Sequence, residues 1–362
     1  MNSTHFFPGR LLFGLLVIVL GACGGGGSGD DDGVVLDTSQ PLALTDSNAP
    51  AVTGLVVEAA MGGVTASSLG SIVIASVATP GPVGGVEFDV LRVTHEVLDR
   101  VWTMRLQGTF TIAAVRPAQL PPSVGCSGGG TVSAVWTDAD LSGELSVGDG
   151  VALTFNTCIE GDLTLTGDAT VGFQSLIGDP ATDPAWTVGF RLNFDNLTGS
   201  GSDVSVLVLG SLDVTVDTQA SGTVITDATT EITTGPGMTA SSFLYFGEGE
   251  DFTELTLYTV SFQENADGSF ILSSQGTVES SFTGGTVSFE TTQDITGTGF
   301  DIDAPSFGRV LILGAANSSI LLRILDSVLV ELDIDDEGNG FDPGDSTITS
   351  SWDALSAAAD AL

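Results

Sequence analysis

Asp138, Asp140 and Ser142 stand at alternate positions, Gly143 and Glu144 follow, and Asp149 closes the run. Counted from Asp138, oxygen-bearing side chains fall at positions 1, 3 and 5, a glycine at 6 and a carboxylate at 12. That spacing is the one a calcium-binding loop uses. A hard cation such as calcium takes about six to eight oxygen ligands, so several carboxylates must converge on it, and the glycine permits the sharp turn between them. Leu145 falls at position 8, where such loops carry an apolar residue, and Ser146 follows it. Position 12 is one methylene shorter than the usual bidentate glutamate, and the flanking residues alternate like strands rather than helices. The other reading of the run is a solvated acidic turn at the tip of a hairpin.

A second acidic run lies near the C-terminus. Asp333-x-Asp335-x-Glu337-Gly338 opens with the same spacing, but position 12 is Gly344 and the carboxylate, Asp345, arrives one residue late. A shifted frame, Asp335-x-Glu337-x-Asn339-Gly340, matches in part. The candidate ligands are Asp333, Asp335, Glu337, Asn339 and Asp345, against the alternative of a solvated hairpin turn.

Motifs for catalysis fail in their context. His95-Glu96-Val97-Leu98-Asp99 lacks the second histidine of a zinc-protease helix. Gly125-Cys126-Ser127-Gly128-Gly129 has the outline of a nucleophile elbow, but a strand-like stretch follows where that motif needs a helix. There is no phosphate-binding loop, and all eight basic residues are arginine, so no lysine is available for Schiff-base chemistry. Paired carboxylates for glycoside cleavage cannot be located by spacing in so acidic a chain. The sequence therefore points away from an enzyme.

The elements that must position the first acidic run are two strands. Val132, Ala134 and Trp136 precede it and Val151, Leu153 and Phe155 follow, each set with a period of two. Cys126 lies twelve residues before the run and Cys158 nine after it. Antiparallel strands of that length bring the two cysteines side by side, so a disulfide at the base of a 126–158 hairpin is expected. Two buried free thiols are the alternative.

The N-terminus bears on the compartment. A short apolar run, Leu11 to Leu20, leads into Leu20-Gly21-Ala22-Cys23, too short to span a membrane and shaped as a secretory leader. Leu-x-Ala-Cys resembles the lipobox of bacterial lipoproteins. That resemblance implies cleavage after residue 22 and lipidation of Cys23, and Gly24 rather than aspartate after it implies the outer membrane. A Gly/Asp-rich tether then runs to residue 47. All three cysteines are thereby assigned, one lipidated and two bridged.

With 46 acidic residues against 8 basic ones the net charge is −38, which excludes a nucleic-acid partner. It also opposes approach to anionic lipid unless an anchor overcomes the repulsion. Apolar residues make up 42% of the chain, enough for a core.

Residues 48–105 read as helical. Asn48 or Ser47 can cap a first helix through Ala60, and Val86, Val90, Val93, Val97, Val101 and Met104 stripe a second. From residue 106 the pattern is that of strands joined by short turns, such as Asn265-Ala266-Asp267-Gly268 and Gly284-Gly285. Ser351-Trp352-Asp353-Ala354-Leu355 begins a short terminal helix. The expected fold is mainly β (α+β): a large antiparallel meander or curved sheet over residues 106–362, with two or three N-terminal helices packed on it.

The combination Cys126…Gly128-Gly129…Asp138-x-Asp140…Gly143…Ser146-x-Gly148-Asp149…Phe155-x-x-Cys158, with Gly308…Ser318-Ser319…Asp333-x-Asp335…Trp352-x-x-Leu355, resembles a family of uncharacterised Gram-negative lipoproteins. The resemblance covers most of residues 85–356 and implies location and architecture, not an activity. The expectation is a membrane-anchored, non-enzymatic structural or binding module that binds calcium. A carrier of lipid or another amphiphile in a curved-sheet pocket is the first alternative, and a hydrolase of envelope polymers the second. The sequence names no protein or amphiphile ligand.

Overall fold

The computed structural model describes residues 39–60, 123–142, 145–160, 163–178, 183–201, 205–221, 224–234, 243–248, 251–298, 305–359 and 361. Residues 36–362 belong to one compact unit. Cys23, and the second predicted helix with His95, lie outside the described residues.

Fifteen strands form one antiparallel sheet. The first six are β1 (Ser123–Gly125), β2 (Gly129–Thr137), β3 (Gly150–Glu160), β4 (Leu163–Ile177), β5 (Trp186–Ser200) and β6 (Ser205–Ser221). Then come β7 (Val224–Thr234), β8 (Phe243–Glu248), β9 (Asp251–Asn265), β10 (Ser269–Ser280) and β11 (Gly285–Thr298). The last four are β12 (Phe307–Leu313), β13 (Ser319–Ile324), β14 (Leu329–Asp335) and β15 (Ser346–Ser351). Neighbours in sequence are neighbours in space, with one exception. β7 and β8 lie end to end in the gap between β6 and β9, and each pairs with both.

The period of two explains the sheet. In β10, Phe270, Leu272 and Val278 are buried on one face while Ile271, Ser273 and Thr277 lie half-buried on the other. The buried positions of successive strands stay in register, Val171 beside Leu192 beside Leu212, and make one continuous apolar face. The Asn265–Gly268 turn forms as its residues require: Gly268 takes φ +77°, and the Asp267 carboxylate accepts the Ser269 amide at 2.9 Å. Register shifts recur along the strands, at Phe155/Cys158, Thr166/Asp168 and Phe194/Leu197 on one side and Gln275/Thr277 and Thr291/Gln293 on the other. Each such bulge bends its strand and adds twist.

Of the two or three N-terminal helices expected, the described residues hold one, α1, over residues 49–60. The Asn48 carbonyl accepts the first helical bond from Val52 at 3.0 Å, whereas its side chain turns back to take the Thr45 amide at 2.8 Å. Val52, Leu55, Val56 and Ala59 are buried in the same core as the inner face of the sheet. Residues 40–44 tie this helix to the sheet: Leu42 donates to the Thr286 carbonyl at 2.9 Å, and the Leu44 amide to Ser318 Oγ at 3.0 Å. The C-terminal helix expected at Trp352 is present as α2 (Trp352–Ala359), with Leu355 buried. Gly54 is where α1 and α2 meet, since a Cβ there would overlap the carbonyl oxygen of Leu355.

Candidate metal centre

β2 and β3 pair up to Thr137↔Gly150, so the acidic run becomes the loop of their hairpin. The disulfide joins Cys126 to Cys158 at the other end, with Cα atoms 5.4 Å apart. Gly130 is required beside it. It sits at φ +72° opposite a bulge at Thr157, and a Cβ at that position would lie inside the Thr157 carbonyl. The loop is also fastened to the next strand. Gly148 donates to the Phe173 carbonyl at 2.9 Å, and Phe173 donates to that of Asp149 at 2.8 Å.

Asp149 is 1% exposed, and both its oxygens close the loop. Oδ1 accepts the Ala139 amide at 2.9 Å, and Oδ2 accepts the Ser146 amide at 2.7 Å. At the rim the Ser142 amide is shared between Asp138 Oδ1 at 3.2 Å and Asp140 Oδ1 at 3.0 Å. The Ser142 hydroxyl and amide hold the Asp140 carboxyl below its usual range, and Ser146 and Asp138 act in the same direction.

Asp138, Asp140 and Asp149 each present a carboxylate oxygen, all within 4.8 Å of one another. Oxygens on opposite sides of a calcium ion, each bonded at about 2.4 Å, lie about 5 Å apart. The three carboxylates are thus close enough to share one ion of that size. The donor set is oxygen only, which suits a hard cation and not zinc. Glu144, the remaining predicted ligand of this loop, lies outside the described residues.

The second acidic run is organised differently. Asp333 sits within β14, where Thr347 Oγ1 donates to its Oδ1 at 3.0 Å and the Arg323 guanidinium pairs with its Oδ2. Asp335 is 1% exposed and accepts three backbone amides, from Gly338 at 2.7 Å, Asn339 at 3.2 Å and Gly340 at 2.7 Å. Asn339 donates to Glu337, and Asp345 accepts the Asp342 amide at 2.7 Å. These oxygens serve the backbone and the side chains of Arg323, Thr347 and Asn339. Among the described residues only the first loop brings three metal-ligating groups to a common centre.

One pair of carboxylates was not singled out by sequence. Glu254 and Glu279 face each other across β9 and β10, beside the stacked rings of Tyr245 and Phe252, whose centroids are 5.6 Å apart. Burial first, and then Glu279, raise the Glu254 carboxyl above its usual range. The residues are spaced like any outward strand positions, and only the register between strands reveals the pair. Ser127 of the elbow-like run lies in the turn that enters β2.

Comparison with protein-family models, with curated proteins and with solved structures returns no match to this chain.

Proposed function

We propose that the chain is a lipid-anchored protein of the cell envelope, held in the outer membrane through Cys23. In this reading the sheet domain is a non-enzymatic structural or binding module stabilised by a calcium ion at Asp138, Asp140 and Asp149. The observation that carries the reading is the convergence of those three carboxylates in the loop of a disulfide-closed hairpin. A structural disulfide belongs to an oxidising compartment, which favours the envelope over the cytosol. The described part of the interior favours a module over a carrier, because α1 places Val52, Leu55 and Val56 in the core.

Calorimetric titration of calcium into the full-length chain carrying Cys23→Ser tests the metal. The expected result is micromolar binding with a raised melting temperature, both lost in Asp138→Ala/Asp140→Ala. No heat and no thermal shift at millimolar calcium would reduce the loop to a solvated turn. Mass spectrometry of the chain isolated from bacterial envelopes tests the anchor: a tri-acylated Cys23 at the N-terminus is expected, and an unmodified residue there defeats it.

A further inference from the structure

The outward face of the sheet changes character towards the C-terminus. On β6 the outward positions are Ser211, Asp213, Thr215 and Asp217, set between buried Leu212, Val214 and Val216. β12 and β13 are apolar on both faces. Val310, Ile312, Ile320 and Leu322 fill the core, while Phe307, Leu311, Leu313, Leu321 and Leu325 take the alternate, outward positions. Strands with unbroken apolar runs are ordinarily covered on both faces. Here Phe307, Leu313, Leu325 and the neighbouring Leu329 of β14 are each at least 40% exposed.

The strand registers join these residues into one patch. Leu311 lies opposite Leu321. Two residues along, Arg309 lies opposite Arg323, and Arg323 opposite Glu331. Two residues further, Phe307 follows the Gly308–Ile324 pair, which sets it beside Leu325, and the Leu325 amide donates to the Leu329 carbonyl at 3.0 Å. Successive rows across β12 and β13 are therefore aliphatic, charged and again apolar, and the last two continue onto β14. A contiguous apolar patch of this kind marks an interaction surface.

The charged row selects the occupant. Arg323 is satisfied within the chain, by Glu331 at 2.9 Å and by Asp333. Arg309 is exposed, stands opposite Arg323 and makes no ion pair among the described residues. Like charges directly opposite on neighbouring strands repel, so a carboxylate brought over Arg309 from outside relieves a cost the single chain carries. Two arginines and two acids leave the patch neutral on a chain of charge −38. A second copy, repelled by an acidic face, meets no net charge here. The patch is also complementary to itself. A two-fold axis along β13 lays β12 of one copy over β14 of the other. The row Arg309–Arg323–Glu331 then meets its own reverse, with each Arg309 over Glu331 of the other copy. The row Phe307–Leu325–Leu329 does the same, ring over leucine. Sheets that stack face to face keep their strands roughly aligned, as this axis requires.

We propose that the outward face of β12, β13 and β14 is the interface of a two-fold homodimer, with Arg309 of each copy paired to Glu331 of the other and Phe307 packed on Leu329. Five strands, β11 to β15, about 4.8 Å apart and about six residues long, present roughly 500 Å² per copy. That is the size of a weak, reversible interface, so the dimer is expected to form at roughly 10–100 μM. It requires neither the metal nor the lipid anchor.

Sedimentation equilibrium of the full-length chain carrying Cys23→Ser provides the test, in chelator and at about 0.15 M salt, where charges more than about 8 Å apart are screened. A monomer–dimer equilibrium is expected. Arg309→Glu and Glu331→Arg, each checked by an unchanged circular dichroism spectrum, should each weaken it at least tenfold, because each places like charges over one another. An equimolar mixture of the two should dimerise again, since both pairs are then of opposite sign. Leu325→Asp/Leu329→Asp, at exposed positions, should abolish the dimer and keeps the test open if Glu331→Arg does not fold. A parent that stays monomeric at several hundred micromolar overturns the proposal. A dimer that survives Arg309→Glu and the leucine substitutions places the interface elsewhere and overturns it too. A mixture that remains monomeric overturns the two-fold pairing. A monomeric parent that co-sediments with phosphatidylglycerol vesicles, and loses this in the leucine variant, would assign the face to lipid instead.

Discussion

The Tyr258 hydroxyl donates a 2.7 Å hydrogen bond to the Ala59 carbonyl, joining β9 to α1 across 199 residues of sequence. Both groups are buried, and burial drives the phenol pKa far up, so the proton stays in place at any working pH. Tyr258→Phe keeps the ring against Phe289 and removes only the donor. The carbonyl left behind has no water to turn to. The expected cost is about 1–3 kcal/mol of unfolding free energy, seen as a lower urea midpoint with an unchanged m-value. A variant as stable as the parent would mean that the bond does not hold the helix.

Asp149 and the pair Asp138/Asp140 have separable roles, because Asp149 spends both oxygens on the backbone of the loop. Asp149→Ala strands the Ala139 and Ser146 amides, so it should destabilise the chain by about 1–3 kcal/mol even in chelator. Asp138→Ala/Asp140→Ala removes rim carboxylates that share the exposed Ser142 amide. It should leave the melting temperature in chelator nearly unchanged and abolish only the calcium-dependent increment. Thermal melts of both variants with and without calcium check the distinction. Equal losses in chelator would merge the two roles.

How far the sequence reaches follows from the range of each interaction. The strands were legible because burial on one face leaves a period of two in each of them, and the first loop because its ligands sit within twelve residues. The cysteine pairing followed from the strand lengths between Asp138 and the two ends of the hairpin. The second loop shows the limit of spacing. Asp333 has the right position in the motif, but it belongs to β14, and Arg323 on the neighbouring strand takes it. The Tyr258–Ala59 bond joins elements too far apart in sequence to leave a trace in the local pattern, and the Glu254–Glu279 pair lies beyond the Gln275/Thr277 bulge, which shifts the register of the β9–β10 hairpin. The overlap of Gly54 with α2 was hidden for the same reason, since it depends on a helix three hundred residues away.

The Cys126–Cys158 bridge closes a segment of 32 residues around the acidic loop. In the chain-entropy model a closed segment of this size contributes roughly 3–4 kcal/mol. Cys126→Ala/Cys158→Ala should lose about that much, measured by urea unfolding in chelator. β2 and β3 are hydrogen-bonded along their length without it, so the hairpin is expected to remain folded and to retain calcium binding with weaker affinity. A double variant with full stability would show that the bridge constrains nothing the unfolded chain could otherwise explore.

Glu254 gives the domain a pH dependence whose sign can be worked out. Burial, and then the facing Glu279, raise its folded-state pKa above that of the unfolded chain, so the folded state holds the proton more tightly. Its favourable contribution is therefore complete below the ordinary glutamate range and is lost as pH rises through the raised value. At neutral pH the ionised side chain opposes folding, and Glu254→Gln should be more stable than the parent. As pH falls through the ordinary glutamate range that advantage should close. Glu279→Gln should bring the Glu254 titration only part of the way back, because burial is the larger cause. Urea midpoints of parent and Glu254→Gln across this range, with the carboxyl followed by NMR, read both effects. An advantage that persists unchanged into acid would place its origin in packing rather than charge.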